Sequence, residues 1–559
     1  MKHAGMTDVG LTVAKTQQAT GNAPKRFRHT MAKYFKDVRE HLAALEAAGK
    51  LIKISRRINK DTELMPLVRW QFRGLPESER KAFLFTNVVD VNGRKYDIPV
   101  AVGCLAASRE IYALGLNCRV DEISAKWMAA EKNPIEPRVV ENGPVQEVVH
   151  IGESLLSHQG LGEFPLPIST PGFDNGPYTT SSHWFTRDPE TKILNIGNYR
   201  GQIKSPLRMG IALSSRNHGG IHWGKCRDRG IPLEAALVVG APPAVAYTAP
   251  ARVPYGKSEL AVAGGLAGAP IDVVRCKTVD LVVPAWAEIV IEGEISTDAL
   301  EPEAPFGEAT GYVATRLMHP FFNIRCITHR KDPLLMNIVS QFPPSESSIM
   351  RQMSAEAIYT RFLKENCNVP GVVDVTFHSL AVRQVCVVRL SKAGRADPWQ
   401  AMFHVLGLNP STGKIVVAVD EDVDPRDWDS LIWTIALRVQ PHRDTQVVRN
   451  RIPSMDPSAA PVGQEVRQRA AEAADCSALL IDATRKWPYP PVSLPRKEFM
   501  DNAREIWEEL GLPKLQPREP WFGYELGYWS DEEREEAELA LAGKHYEVGE
   551  RAEKNRKKL

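Results

Sequence analysis

Glu303 and Glu308 lie five positions apart in EPEAPFGEATGY (residues 301–312), on either side of a Pro-Phe-Gly bend. Five is a poor spacing for one helix face, where neighbours recur at three and four. Pro305 and Gly307 also argue against a helix. A turn between short extended segments would instead aim both carboxyls into one pocket. Beside a shared cation such a pair has opposed tendencies: the cation favours ionisation, while repulsion and burial favour the proton. One member can then stay protonated near neutrality and serve as a general acid. Alone, the stretch reads as two solvated acids on a loop.

Three further stretches carry chemistry: LNIGNYRGQ (194–202), SSRNHGGIH (214–222) and PYGKSELAVAGG (254–265). Taken singly, Asn195 reads as a turn residue, Arg200 as a surface cation, His218 as a satisfied loop histidine and Glu259 as a helix acid. Together, Asn195, His218 and Glu259 offer an amide oxygen, an imidazole nitrogen and a carboxylate, a set suited to Mn²⁺ or Mg²⁺ rather than to a thiophilic ion. Such an ion holds phosphate well. Gly219, Gly220 and the backbone after Gly197 would admit a phosphate close to N–H groups. Arg200 supplies a rigid two-donor fork for an anionic substrate.

The elements that must position these residues are legible in outline. The chain has 559 residues, 43% hydrophobic and 25% charged, with a net charge of +2. That length allows two or three domains, and near-neutrality argues against nucleic acid or an anionic membrane as partner. No apolar run approaches the roughly 20 residues of a membrane span, and the first thirty residues lack the apolar core of a secretory signal. The expectation is a cytoplasmic protein whose residues 1–34 form a disordered arm. Eight scattered cysteines with no C-x-x-C pair point to neither a disulfide framework nor a zinc motif.

Residues 35–145 read as an α/β domain. Asp37 and Glu40 resemble a capping box, Val38, Leu42 and Leu45 share one helical face, and Gly49 ends that helix. LIKIS (51–55), AFLFTNV (82–88) and IPVAVG (98–103) are its strand candidates. Residues 146–345 are β-rich, with LEAALVVG (233–240), VVRCK (273–277) and EIVIEGEI (288–295) between Gly/Pro-rich loops and few helices. Residues 346–528 return to α/β alternation. KIVVAVD (414–420) is a strand, and Asp424 with Pro425 predicts a helix start. The stripe Leu431, Ile432, Ile435, Ala436 and Val439 predicts that helix's core face, with Trp428 and Trp433 also packed inside. Residues 529–559 form a charged helical tail.

In order and spacing, NIGNYRGQ, HGGIH, KSELAVAG, VPAWAEIVIEGEI, EAPFGEATGY, VAVDEDVDPRDWDSLIWTIALRVQPHRDT and LLIDATRKWP resemble the UbiD-type decarboxylases, from about Phe35 to about Gly511. That family uses prenylated FMN to remove carbon dioxide from aromatic and α,β-unsaturated acids. The resemblance implies an N-terminal α/β domain, a central split β-barrel that binds the flavin, and a C-terminal α/β domain. It implies Asn195, His218 and Glu259 as ligands of Mn²⁺ at the cofactor phosphate, with K⁺ beside it on carbonyls of Thr248, Ala249 and Ala251. Asn198, Tyr199 and Arg200 match the flavin-contacting segment, with His218, Gly219 and Glu259 also at the cofactor. Arg389 and Lys392 fall near the family's phosphate-binding lysine. Arg200, Glu303 and Glu308 match the catalytic Glu–Arg–Glu network, some members having aspartate at the last position. A homodimer or hexamer, a flavin prenyltransferase as cofactor supplier, and a hydroxybenzoate- or phthalate-type substrate or its aryl-CoA thioester are the accompanying expectations. The rival readings are a plain FMN oxidoreductase, and a non-catalytic assembly or nucleic-acid-binding protein using the charged C-terminus.

Overall fold

Asp37 opens the first helix as its position predicts: its carboxylate accepts the Glu40 N–H at 2.9 Å, and Val38–Ala47 follows with Val38, Leu42 and Leu45 buried. Glu40 reaches one residue further than a capping box requires, accepting the Lys36 N–H at 2.8 Å. The structure is a computed structural model and describes residues 34–314, 316–391, 397–452, 456–459, 476–515 and 528–557. The expected N-terminal arm lies, but for its last residue, outside the described residues.

The predicted strands form at Leu51–Ile54, Ala82–Phe85 and Val100–Val102. A fourth strand, Leu335–Asn337, joins them from more than two hundred residues downstream, parallel to Val100–Val102. No local pattern announces that strand, because its partner is remote in sequence.

The central sheet has nine strands. Its path runs Leu194–Asn198, His183–Arg187, Leu233–Val239, Ile289–Ile295, Phe321–His329, Arg208–Ile211, Gly201–Ser205, Tyr178–Thr179, with Val148–Ile151 beside Phe321–His329. Leu194–Asn198 and Gly201–Ser205 stand six strand spacings apart, roughly 29 Å if the sheet were flat. The chain between them is only Tyr199–Arg200, and three peptide steps reach at most about 11 Å. The sheet must therefore curl until its ends meet, and Arg200 sits in the seam. The sequence expectation of few helices here is incomplete. His218–Asp228, Pro243–Thr248 and Glu259–Ala267 are helical, and the last two are so apolar throughout that no amphipathic stripe marks them.

One apolar core runs from Val38 through the curled sheet to Ala357. Within it Glu346, fully buried at the start of the Glu346–Arg361 helix, ties three segments together. Its Oε2 accepts the Gly103 and Val339 N–H groups at 3.0 and 2.8 Å, and Oε1 those of Leu105 and Ala106 at 3.3 and 3.4 Å. Burial lifts its carboxyl from 4.5 to about 7 despite those four donors. A raised folded pKa means that stability is lost as pH rises through that window. Glu346→Gln would set an NH₂ group against N–H donors and cost roughly 2–4 kcal/mol. It should also flatten the stability-versus-pH curve between pH 4.5 and 7. Denaturant midpoints at several pH values check both effects.

The third sheet is Val372–Phe377, Val385–Leu390, Ile415–Asp420, Cys476–Asp482, Thr445–Arg451, parallel in its middle three strands and antiparallel at both edges. Alternation divides it: Cys386, Val388 and Leu390 face one apolar cluster, Val387 the other.

The helix expected from Asp424 begins later. Asp427 is its cap, accepting the Asp429 N–H at 3.3 Å, while Asp424 accepts the Arg426 N–H in the preceding turn. Its buried face is Ser430, Leu431, Thr434 and Arg438; of the predicted stripe Leu431 is buried and Ile435 and Val439 pack partly buried beside it, while Ile432, Ala436 and Trp428 are exposed. The reason is electrostatic. Arg438 is held inside by Asp420 and Asp422, whose oxygens lie 3.3 and 2.7 Å away. The tail forms two exposed helices, Asp531–Leu541 and His545–Lys554. No helix among the described residues is long and apolar enough to cross a membrane.

Candidate active site

The bend around Pro305 lies between two short hairpins. Glu301–Glu303 pairs with Leu317–His319, and Phe306–Gly307 pairs with Val313–Ala314. This fixes the two glutamates on either side of Arg200. Its Nε donates to Glu303 Oε1 at 2.8 Å, and one Nη bonds to Glu303 Oε2. The other Nη pairs with Glu308 Oε1. Glu303 is fully buried, and the Arg200 and Glu308 side chains are 11% and 10% exposed. A guanidinium this dry between two carboxylates is an organised triad, not a surface pair.

Residues with no sequence motif hold the bend. Asp174 Oδ1 accepts the Gly307 N–H at 2.8 Å, and Asn175 Nδ2 donates to the Ala304 carbonyl at 3.1 Å. Asn175 Oδ1 in turn accepts from Gln202 Nε2 at 2.9 Å, on the strand that leaves Arg200. Tyr178 packs on Phe306 with ring centroids 4.3 Å apart, and the Arg200 guanidinium lies 5.5 Å from the same Phe306 ring. Gly307 is required by space: a Cβ there would come 2.3 Å from Thr170 Oγ1. The signal that could have found Asp174 and Asn175 is weak, a polar FDNG turn with no fixed offset from the glutamates.

Asn195, His218 and Glu259 converge at the other side of the seam. His218 and Glu259 are each the first residue of a helix, capped by Asn217 and Ser258. The His218 Nδ1 lies 2.9 Å from Glu259 Oε1, and Glu259 Oε2 accepts the Ile196 N–H at 3.2 Å. Asn195 Nδ2 donates to Thr186 Oγ1 at 3.0 Å. Asn195 and His218 line a small pocket with Asp188, His222, Tyr255 and Lys257. Two helix N-termini meeting over an imidazole and a carboxylate suit a metal-bound phosphate: the helix ends favour the anion, and the side chains favour the cation.

Asp188 and His222 were missed from sequence. Desolvation would raise the Asp188 carboxyl, but hydrogen bonds from Lys225 and Tyr255 hold it well below the ordinary carboxylate range. Burial lowers His222 to about 4, keeping it neutral, with Thr186 Oγ1 3.0 Å from its Nδ1.

The glycines behave differently from the expectation of an open phosphate cradle. The Tyr199 ring lies against both Gly197 and Gly219, where a Cβ would come within 2.1 and 2.8 Å of it. Tyr199 Oη accepts the Gly219 N–H at 3.1 Å, and Asn217 Oδ1 accepts the Gly220 N–H at 2.7 Å. Burial pushes the Tyr199 hydroxyl up to about 12, so it remains a neutral partner. Asn198 is held by the Ser182 N–H and the Thr180 carbonyl at 3.1 and 3.3 Å. The Ala249 carbonyl accepts the Asn198 N–H at 3.2 Å, and that of Thr248 the Ala251 N–H at 3.1 Å. Arg252, which follows, Arg351 and Arg383 repel one another, and none of them has a carboxylate ion-pair partner among the described residues. Arg389 is paired with Asp374 on the adjacent strand. Lys392 lies outside the described residues.

Against this geometry the comparisons are consistent along the chain. Residues 42–131, 138–343 and 348–483 match, in order, the N-terminal, Rift-related and C-terminal domain models of 3-octaprenyl-4-hydroxybenzoate carboxy-lyase. An uncharacterized protein of Archaeoglobus fulgidus is 29% identical over 85% of this chain and 98% of its own. An evolved dimeric form of the UbiD-class enzyme HmfF from Pelotomaculum thermopropionicum, solved with prFMN, is 28% identical with a TM-score of 0.71, over 84% of this chain and 100% of that one. The closed form of vanillic acid decarboxylase from Sedimentibacter hydroxybenzoicus is 27% identical with a TM-score of 0.72, over 86% and 100%.

Proposed function

Since this chain belongs to the UbiD family of carboxy-lyases, we propose that it interconverts an aromatic or α,β-unsaturated carboxylic acid with its decarboxylated product, using prenylated FMN. The observation that carries this reading is the buried Glu303–Arg200–Glu308 triad. A plain flavin oxidoreductase moves hydride and has no use for a dry acid–base set beside a carboxylate-binding cation.

The residues present fit the cofactor. Asn195, His218 and Glu259 supply the oxygen and nitrogen donors for Mn²⁺ at its phosphate, with K⁺ on carbonyls of the 248–251 turn. Arg252, Arg351 and Arg383, with no carboxylate ion-pair partner among the described residues, lend the cationic field an anionic ligand needs. When bound, prenylated FMN supplies an electrophilic carbon and an electron sink. Arg200 holds and orients the substrate carboxylate, and Glu303 fixes the guanidinium. As the carbon–carboxylate bond breaks and carbon dioxide leaves, the bonding pair is taken up by a proton delivered from Glu308. The reverse direction runs through the same groups at high carbon dioxide.

The substrate class proposed is a hydroxybenzoate- or phthalate-type acid, as the free acid or as an aryl-CoA thioester. The likeness to vanillic acid decarboxylase supports it, as do the Phe306 and Tyr178 rings beside Arg200. Homo-oligomer assembly is part of the reading, supported by the Lys497–Glu509 helix, which leaves Phe499, Met500 and Ile506 exposed. Co-expression with a flavin prenyltransferase, then mass measurement of the released cofactor and metal analysis, tests the proposal. Prenylated FMN with stoichiometric manganese, and carbon dioxide release from a panel of aromatic acids, is the expected result. Tightly held plain FMN without carbon dioxide release would overturn it.

A further inference from the structure

Away from Arg200 and from the Asn195–His218–Glu259 cluster, three metal-competent side chains meet where the central sheet is joined by its ninth strand. His150 lies on Val148–Ile151, which pairs antiparallel with Phe321–His329, and His329 ends the longer strand. Glu163 ends the short Gly160–Glu163 turn that follows in the chain. The two imidazoles are buried, at 5% and 4% exposure. Their Nε2 atoms are 3.3 Å apart. Glu163 Oε2 is 3.5 Å from His150 Nε2, and Glu163 Oε1 is 3.5 Å from His329 Nε2.

These distances have a specific meaning. Bonds of about 2.0–2.2 Å to one tetrahedral ion place its donors about 3.3–3.6 Å apart. Good hydrogen bonds between the same groups would be near 2.9 Å. The tautomer agrees as well. His329 Nδ1 lies 2.6 Å from the Arg330 carbonyl oxygen, which can only accept, so Nδ1 carries the proton and Nε2 turns its lone pair inward. A proton on His150 Nε2 would satisfy that lone pair but leave the buried Glu163 Oε2, which has no hydrogen-bond partner, still unmatched. A divalent cation satisfies all three groups at once.

We propose that His150, His329 and Glu163 form a second metal site, which takes one divalent cation of the zinc class through two imidazole nitrogens and a carboxylate oxygen. Two imidazoles favour zinc, cobalt or nickel over magnesium or manganese, which separates this site chemically from the oxygen-richer cofactor site. Three protein ligands leave a fourth position for water. The site's place in the fold points to a positioning role. It would staple the 150–163 segment to the end of the Phe321–His329 strand. That segment runs directly into the stretch whose Asp174 and Asn175 hold the glutamate bend.

The test uses the full-length protein stripped of metal with a chelator and titrated with Co²⁺, whose visible absorption reports tetrahedral coordination. One equivalent of intense visible bands is expected in the wild type, displaced by Zn²⁺ and retained in His218→Ala. Both Glu163→Gln and His329→Ala should weaken binding by roughly 100-fold or more. Glu163→Gln is the guard against misfolding, since Glu163 is only partly buried and the substitution is isosteric. Absence of the bands in the wild type, their loss in His218→Ala, or their persistence in Glu163→Gln and His329→Ala would each overturn the proposal.

Discussion

Glu308→Gln is expected to lower turnover by about 10³-fold while the protein stays folded and keeps its cofactor; a positioned general acid contributes typically 10²–10⁴. Glutamine keeps the shape and an oxygen to face Arg200, but it has no proton to give at the vacated carbon. Stability should change little, because Arg200 retains the bidentate pair with Glu303. Cofactor loading should be unchanged, because Glu308 is no part of the Asn195–His218–Glu259 cluster. The measurement is kcat on the best substrate together with the flavin spectrum of the purified variant. A wild-type kcat would remove Glu308 from the proton path. Loss of flavin together with activity would show a structural role instead. Glu303→Gln is the control: it acts through the Arg200 guanidinium, so its effect should include a raised substrate KM.

Legibility of this molecule from sequence follows the range of the forces involved. Glu303 and Glu308 were readable because the turn between them is local: Pro305 and Gly307 state it within five residues. Asp37 was readable as a cap for the same reason. The Leu335–Asn337 strand was not, since its pairing with Val100–Val102 is a tertiary choice. The Trp428–Arg438 helix shows how a local pattern is overridden. Its apolar residues outline a stripe, of which Leu431 is buried and Ile435 and Val439 pack at the core's edge, but Arg438, paired with two buried aspartates, takes a place inside while Ile432 stays exposed. At the site, the motifs announced donors but not their supports. Asp188, His222, Asp174 and Asn175 are common residue types at unremarkable spacings, brought in by the sheet's curl. The glycines were readable as close-approach positions, yet what approaches Gly197 and Gly219 is the Tyr199 ring.

Arg200→Ala should combine the largest loss of activity with a large loss of stability. Removing one partner from a buried ion pair costs about 3–5 kcal/mol, because the remaining charge is left in a dry site. Here the residue left behind is Glu303, fully buried, with Glu308 close by. Two carboxyls facing each other without a cation are driven towards the protonated form by burial and by repulsion. The sign then follows: protonation in the folded state relieves the deficit, so it is smallest at low pH and grows as pH rises past the ordinary carboxylate range. Arg200→Lys separates charge from geometry. A lysine restores one positive charge, so much of the stability should return. It cannot span Glu303 with two donors and still reach Glu308 with a third, as the guanidinium does. Activity should therefore remain at least about 100-fold down, since misplacement of the substrate carboxylate by even an ångström carries that cost. Denaturant midpoints of the three proteins at acidic and neutral pH, beside their kcat/KM values, decide the matter. If Arg200→Ala unfolds at the wild-type midpoint at neutral pH, the triad is no buried ion network. If Arg200→Lys is fully active, the fork geometry is not what positions the substrate.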